Sequence, residues 1–410
     1  MARHFKDFLE AYQHYTDDNF VPENFNTWCG ISAVAGALER KVWLPWSDTL
    51  SYYPNLYILM VALPGVGKST ALNKSVGLLQ EMNLAKGSMQ LVPSQVTEAK
   101  FIELMGTQTS FQHGTRLHNQ SAGYYFASEA SNSLRNVYGD FIACLTDFYD
   151  CPPHWEKATL KDDKITLKNL CLNLIAGSTF EYLSKLVTAE QVMGGFASRL
   201  IYVVHDAKGV KEQEFQSGMN GGNSPARKDF RRKLVEDLRD IHSMVGPFSG
   251  SPEFGAAWKA WNFKFEKERQ EIGSEKLQSL MARVNTNALK LSMILSASES
   301  SERRLELHHW EKALAILEEP VKKIPSIFRT ARAGNTESQD GLTQAVIRLC
   351  GKEQITSMNQ LKAALMSAGF QPGRIDYTMN FMCTNGMLDK EVLPNGKTNV
   401  QLTIDPDSYL

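Results

Sequence analysis

The 410-residue sequence predicts an α/β fold on an open parallel sheet, and three observations predict it. Four short runs are apolar from end to end: Leu56–Ala62, Tyr124–Ala127, Leu170–Ala176 and Leu200–Val204. Runs of that length suit strands covered on both faces. Helical stretches lie between them, as crossovers between parallel strands require. The first run passes directly into a glycine-rich loop at 62–70 and then into the helical stretch Ser69–Glu81, so strand, loop and helix follow in sequence.

The other elements follow in order. Residues 24–40 read as a helix that Asn24 can cap, with Trp28, Ile31, Val34, Ala35 and Leu38 on one face. Lys41–Trp46 looks like a short strand, and residues 1–50 are expected to pack on a core of 51–225. Residues 206–226 are rich in Gly, Asn and Ser and read as a linker. Residues 226–335 form a helical segment, with amphipathic spacing in Phe230–Ile241 and Ala256–Glu271. Trp258, Trp261, Phe263 and Phe265 are expected in its core rather than as base-stacking platforms. After a second linker, Ala331–Gln339, residues 340–410 give helices at 342–350, 358–368 and 373–386. Two strands then flank Asn395-Gly396, a strong hairpin signal. Three helices followed by a hairpin make the winged-helix pattern.

Composition limits the function classes. The formal net charge is -1, with 43% hydrophobic and 22% charged residues. This is an ordinary globular balance, and any nucleic-acid surface must be local. The six cysteines, at 29, 144, 151, 171, 350 and 383, form no CxxC pair and suit buried thiols in a reducing cytoplasm. The histidines lack metal-ligand spacing, and His308-His309 reads as surface or packing. The sequence shows no apolar signal core and no run near the roughly 20 apolar residues that span a bilayer.

The loop fits the P-loop pattern G-x-x-x-x-G-K-[ST], with Ala62 in place of the first Gly and then Leu63, Pro64, Gly65, Val66, Gly67, Lys68, Ser69 and Thr70. Backbone N–H groups of such a loop cradle phosphates, and the helix N-terminus adds positive potential. Lys68 is placed for the β and γ phosphates of ATP, and Ser69 for Mg2+. Glu129 ends the second strand, where an acid can orient water and hold magnesium; Ser128 stands where an Asp is usual, and helix capping is the plain alternative. Ser178 and Thr179, at the end of the third strand, can sense the γ phosphate or simply cap a helix. Arg199, just before the fourth strand, can serve a neighbouring subunit or make a structural salt bridge. Residues 155–168 alternate with period two. A turn at Asp162-Asp163 would set Lys161 against Lys164 and Lys157 against Lys168 on one face, which suits a phosphate backbone or a solvated surface. Arg374 and Lys397 are the candidate DNA contacts of the C-terminal domain, diluted by Asp376, Asp389 and Glu391.

The succession KVWLPW, ALPGVGKST, PSQVTEAKFIELM, YYFASEAS, basic hairpin, LNLIAGST and GGFASRLIYVV resembles a family of phage and plasmid P-loop proteins often found with primases, similar to AAA+ replicative helicases of the MCM and superfamily III kind. It covers about residues 20–300. It implies an AAA+ ATPase core with a helical lid and a winged helix. The 155–168 hairpin would be a DNA-gripping hairpin in a ring channel, Arg199 an arginine finger, and Arg283 a second sensor arginine. It also implies an ATP- and Mg2+-dependent hexamer on single-stranded or forked DNA, in the host cytoplasm, with a primase or polymerase as a further partner. An AAA+ initiator or loader switch and a monomeric P-loop kinase stand as alternatives.

Overall fold

The computed structural model describes residues 3–17, 21–83, 89–107, 109–133, 140–158, 164–186, 195–206, 224–334, 339–351, 357–394 and 396–404. Helices α1 (Phe8–Thr16) and α2 (Glu23–Leu38) precede the short strands β1 (Val42–Pro45) and β2 (Ser51–Tyr52). Strand β3 (Tyr57–Val61) runs through the glycine loop into α3 (Lys68–Asn83), and β4 (Gln90–Val92) leads to α4 (Glu98–Met105). A hairpin of β5 (Thr109–His113) and β6 (Arg116–Ala127) comes next, then α5 (Ala130–Ser133) and α6 (Asp140–Tyr149). A second hairpin, β7 (His154–Ala158) and β8 (Lys164–Lys168), opens into β9 (Leu170–Ser178). After α7 (Phe180–Leu186), the single turn α8 (Phe196–Arg199) feeds β10 (Leu200–Val204).

These strands form one six-stranded sheet in the order β10–β3–β9–β6–β4, every pair parallel, with β5 antiparallel on β6. The expected parallel α/β sheet is therefore present, with two strands more than its four apolar runs marked. Strand β4 is only three residues long, and β5 is largely polar and half-exposed, so neither carries an apolar run. The register matters for chemistry. Val61 is opposite Ser178, and Ala127 is opposite Ala176, so the carboxyl ends of β3, β9 and β6 finish side by side.

Helix α2 departs from the expected reading. Pro22 is its N-cap and gives no side-chain hydrogen bond, whereas Asn24 lies inside the first turn and donates from Nδ2 to the Val204 carbonyl at 3.3 Å. Thirteen of its sixteen residues are buried, so it has no polar face to give a helical stripe. It is covered by the sheet on one side and by helices on the others.

Those helices include α9 (Pro225–His242) and, after β11 (Gly246–Pro247), β12 (Ser249–Gly250), α10 (Pro252–Gln270) and α11 (Glu275–Met281), helix α12 (Val284–Glu299). Strand β13 (Arg304–Leu305) and the long α13 (Leu307–Gly334) follow. The hydrophobic core runs without a break from Phe8 and Ile58 to Leu234, Leu291 and Trp310. Met1–Tyr182 and Ala189–Ile324 make one compact unit; Leu183–Thr188 and Pro325–Leu410 make a second. In the second, α14 (Gln339–Gly351), α15 (Met358–Ser367) and α16 (Pro372–Thr384) enclose their own core with the antiparallel hairpin β14 (Leu388–Val392) and β15 (Thr398–Leu402). Among the described residues no helix is long and apolar enough to cross a membrane.

Candidate functional site

The glycine loop leaves the buried strand β3 and ends as α3 begins at Lys68. Gly65 and Gly67 have φ of 84° and 92°, a left-handed backbone that side chains resist. Between them they turn the loop around a concave backbone at a helix N-terminus, the geometry that receives phosphate oxygens. Lys68 is folded across this mouth. Its Nζ donates to the carbonyls of Ala62 at 2.7 Å and Leu63 at 3.0 Å, both groups of the loop itself. Burial lowers the Lys68 pKa, opposed by the charge of Glu129. Ser69 and Thr70 are exposed at the first turn of α3, where a ligand or metal can reach their hydroxyls. The residues present therefore fit a nucleoside triphosphate with its magnesium.

Glu129 and Ser178 are brought to the same rim. The electrostatic effect on Lys68 puts Glu129 beside the loop, one strand away across β9. Its carboxylate accepts the Ser131 hydroxyl at 3.3 Å. Ser178 is fully buried; its carbonyl accepts the Ala62 N–H at 3.2 Å, and its hydroxyl donates to the Thr179 carbonyl at the same distance. Thr179 behaves as a cap, its Oγ1 accepting the Tyr182 N–H at 3.3 Å. Gly177 was not singled out from the sequence. A Cβ there would lie 2.4 Å from the Ser128 carbonyl oxygen and 3.5 Å from Lys68 Cβ, so this glycine lets β6 and β9 close up beneath Lys68.

Arg199 and Arg283 lie elsewhere. Arg199 precedes β10, whose Leu200 is opposite Tyr57, the first residue of β3. The two arginines therefore belong to the amino end of the strands, and the phosphate loop to the carboxyl end. Arg199 Nη2 is 2.6 Å from Asp150 Oδ2, and its Nη1 donates to the Gly195 carbonyl at 2.9 Å. Its side chain is 11% exposed. Arg283 Nη1 is 3.6 Å from Asp150 Oδ1. Both guanidiniums sit near the ring of buried Tyr149, as does the buried Lys290 ammonium, whose Nζ is 3.9 Å from the ring centre. Burial lowers the Lys290 pKa to about 8. Asp150, Tyr149 and Lys290 were not foreseen. The only local signal was the break Cys151-Pro152-Pro153 after Asp150.

The β7–β8 hairpin has a different register from the one its alternation suggested. Lys157 is opposite Ile165, and Lys168 is opposite His154. Lys157 thus shares a face with Trp155, Ile165 and Leu167, while Lys168 and Thr166 share the other with His154 and Glu156. The expected single lysine face is not formed. A period-two pattern fixes which residues share a side of their own strand but leaves the offset between strands to the turn. Lys157 makes an ion pair with Glu98, and Lys168 is exposed. Lys161 and the Asp162-Asp163 turn lie outside the described residues, and of Lys164 only the backbone is described.

In the C-terminal unit Arg374 and Lys397 are exposed, and Lys390 donates to Asn380 Oδ1 at 3.0 Å. Elsewhere, Trp261 stacks on buried Phe265 with ring centres 4.6 Å apart, but Phe263 is 76% exposed and is not core. The nitrogens of His308 and His309 and a Glu299 oxygen lie within 4.8 Å of one another. His309 Nδ1 accepts the Glu306 N–H at 2.9 Å, so in the neutral ring Nε2 carries the proton and faces Glu299 as a donor, which does not suit a metal ligand.

Compared with models of known protein families the chain matches none, and no curated protein matches it either.

Proposed function

We propose that this protein is an ATP-driven DNA translocase, a replicative helicase of the phage or plasmid kind, working as a hexameric ring with ATP and Mg2+ at each subunit seam. The observation that carries the reading is the separation of the phosphate loop and the arginine pair. Strand β3, five residues at about 3.3 Å each, sets roughly 16 Å between them. Arg199 and Arg283 cannot serve the loop of their own chain across that distance. In a head-to-tail ring they reach the loop of the next subunit. A monomeric kinase has no use for such an arrangement.

The roles follow from the positions. Bound ATP supplies the phosphoryl group and the leaving diphosphate. Lys68 exchanges the carbonyls of Ala62 and Leu63 for phosphate oxygens, with Ala62, Pro64, Gly65, Val66, Gly67 and Thr70 forming the cradle. Ser69 offers the metal its hydroxyl, with Glu129 behind it. Glu129 also holds the attacking water in line, and Ser178, with Thr179 beyond it, fixes the strand end that faces it. Arg199 and Arg283 of the adjoining subunit add positive charge where negative charge develops, a contribution on the order of 10³ or more in rate for a trans arginine. The strand order supports this core as AAA+, because β9 sits between loop and acid and leaves room for water. The hairpin cations Lys161, Lys164 and Lys168, and Arg374 and Lys397 of the three-helix unit read as a winged helix, are the proposed DNA contacts. A primase or polymerase is the proposed further partner, in the host cytoplasm.

Mixing subunits tests the seam. Lys68→Ala and Arg199→Ala proteins should each lose ATP turnover, by about a hundredfold or more. In a random one-to-one ring about a quarter of the seams regain both groups, and activity should recover accordingly. Turnover that survives Lys68→Ala, or a mixture that stays dead, sinks the reading. The split lysine faces of the β7–β8 hairpin favour a second reading, a switch that remodels a replication complex without unwinding. A strand-displacement assay with ATP decides between the two.

A further inference from the structure

We infer that Asp150 is a positioning residue that holds Arg199 and Arg283 in reserve and ties their release to the β7–β8 hairpin. The inference rests on the ATPase reading above for what the two arginines do. Asp150 follows the last residue of α6, and its two carboxylate oxygens face different guanidiniums, at 2.6 Å and 3.6 Å. Three cations, Arg199, Arg283 and Lys290, surround Tyr149, and among the described residues Asp150 is the one carboxylate paired with them. The group therefore carries two more positive charges than negative ones, with Arg199 and Lys290 buried and the Asp150 and Arg283 side open to water.

Such a cluster has room for a stronger anion. A guanidinium binds carboxylate and phosphate oxygens through the same planar fork, so the two anions compete for it. Asp150 is 47% exposed, whereas Arg199 is 11% exposed. The carboxylate is thus the solvent-facing member that can be displaced, and the arginine is the stored one. The rest of the Arg199 side chain is held loosely: Nη1 bonds one carbonyl, and Nε is buried with no hydrogen-bond partner.

The link to the hairpin is covalent and stiff. Only Cys151, Pro152 and Pro153 separate Asp150 from β7. Cys151 has φ of 50°, and the two prolines fix their own φ, so the neck has few soft torsions to absorb a displacement. The carbonyls of Pro152 and Pro153 accept the N–H groups of Leu170 and Asn169 at 3.1 and 2.8 Å, which fastens the neck to the junction where the returning strand β8 passes into β9. A load on the hairpin is delivered to Asp150 and loosens its hold on Arg199.

Asp150→Asn removes the charge at nearly constant shape. Arg199 should then react with phenylglyoxal about fivefold faster, read by mass spectrometry. ATP turnover without DNA should rise about fivefold, the low end of ordinary allosteric coupling, and stimulation by single-stranded DNA should shrink toward onefold. Asp150→Glu, which keeps the charge, should return most of both effects. Melting temperatures of all three proteins confirm that folded samples are compared. Unchanged Arg199 labelling overturns the inference, and so do an unchanged stimulation ratio, a parallel fall of basal and stimulated turnover, or a Glu variant that behaves like the Asn variant. If the wild type turns over no ATP at all, the ATPase reading fails, while the labelling still shows whether Asp150 guards Arg199.

Discussion

The two ends of the parallel sheet hold their cations by different means. At the carboxyl end, Lys68 rests on two neutral carbonyls at 2.7 and 3.0 Å and feels Glu129 from across a strand. At the amino end, Arg199 and Arg283 are held by a full negative charge on Asp150. A cation on backbone dipoles gives up no opposite charge when it turns to an incoming anion; the acceptors it leaves are the buried Ala62 carbonyl and the part-buried Leu63 carbonyl. A guanidinium on a carboxylate is released only to another anion or by moving the carboxylate. One end thus holds its cation on neutral dipoles, and the other on a formal charge.

The carboxyl end depends on close backbone contact, and Gly177→Ala tests that dependence most severely. Its Cβ would press on the Ser128 carbonyl at 2.4 Å, which forces β6 and β9 apart just below Glu129. Overpacking of this kind costs about 1–3 kcal/mol, measurable by urea unfolding. Misplacing Glu129 by about an ångström should lower turnover up to about a hundredfold, with nucleotide affinity much less affected. Full turnover in Gly177→Ala would mean that the rim tolerates a shift of its acid, and the contrast between the two ends would weaken.

The amino end stores positive charge at a cost, and Lys290 measures it. Its pKa falls to about 8 in the folded protein, from 10.5 unfolded. Below pH 8 both states are protonated, and burying the charge destabilises the fold in full. Between pH 8 and 10.5 the unfolded chain binds more protons than the native one, so stability from this group rises with pH. Buried thiols such as Cys29, raised to about 12, act in the opposite sense, so the informative quantity is a difference between variants. In a Cys151→Ser background, which removes the thiol that acts most on Lys290, the unfolding free energy of the Lys290 protein relative to Lys290→Met should climb by about 3 kcal/mol from pH 7.5 to 10.5. A flat difference would show that the cluster carries its charge without strain.

What the sequence disclosed divides along the same line. The carboxyl end was legible because its signals are contiguous: an apolar strand, a glycine loop and a helix start lie within 57–70, and Glu129 and Ser178 each close an apolar run. Local spacing carries that information. The amino end joins Asp150 to Arg199 across 49 residues and to Arg283 across 133, and nothing in either neighbourhood names its partner. The crossing of Gly177 and Ser128 was hidden for the same reason. Asn24 misled as a cap because Pro22 already supplies the extended backbone that starts α2. The hairpin was half legible. Its alternation is real, but the offset of Lys157 from Lys168 depends on turn residues between them.

That offset leads to the smallest effect and the cleanest test of how charge is used outside the two sheet ends. Lys168 is exposed on one face, whereas Lys157 on the other is balanced by Glu98. Each phosphate neutralised on a single strand adds about 0.7 to the slope of log affinity against log salt. Lys168→Ala should therefore flatten the slope for single-stranded DNA by about that much in a fluorescence anisotropy titration. Lys157→Ala should leave it nearly unchanged, because a lysine that already has a carboxylate partner displaces few counterions from DNA. Equal losses in the two variants would place both lysines against the same strand of DNA. The hairpin would then have to shift register on binding, and a moving hairpin is what the neck at Cys151–Pro153 would pass on to Asp150.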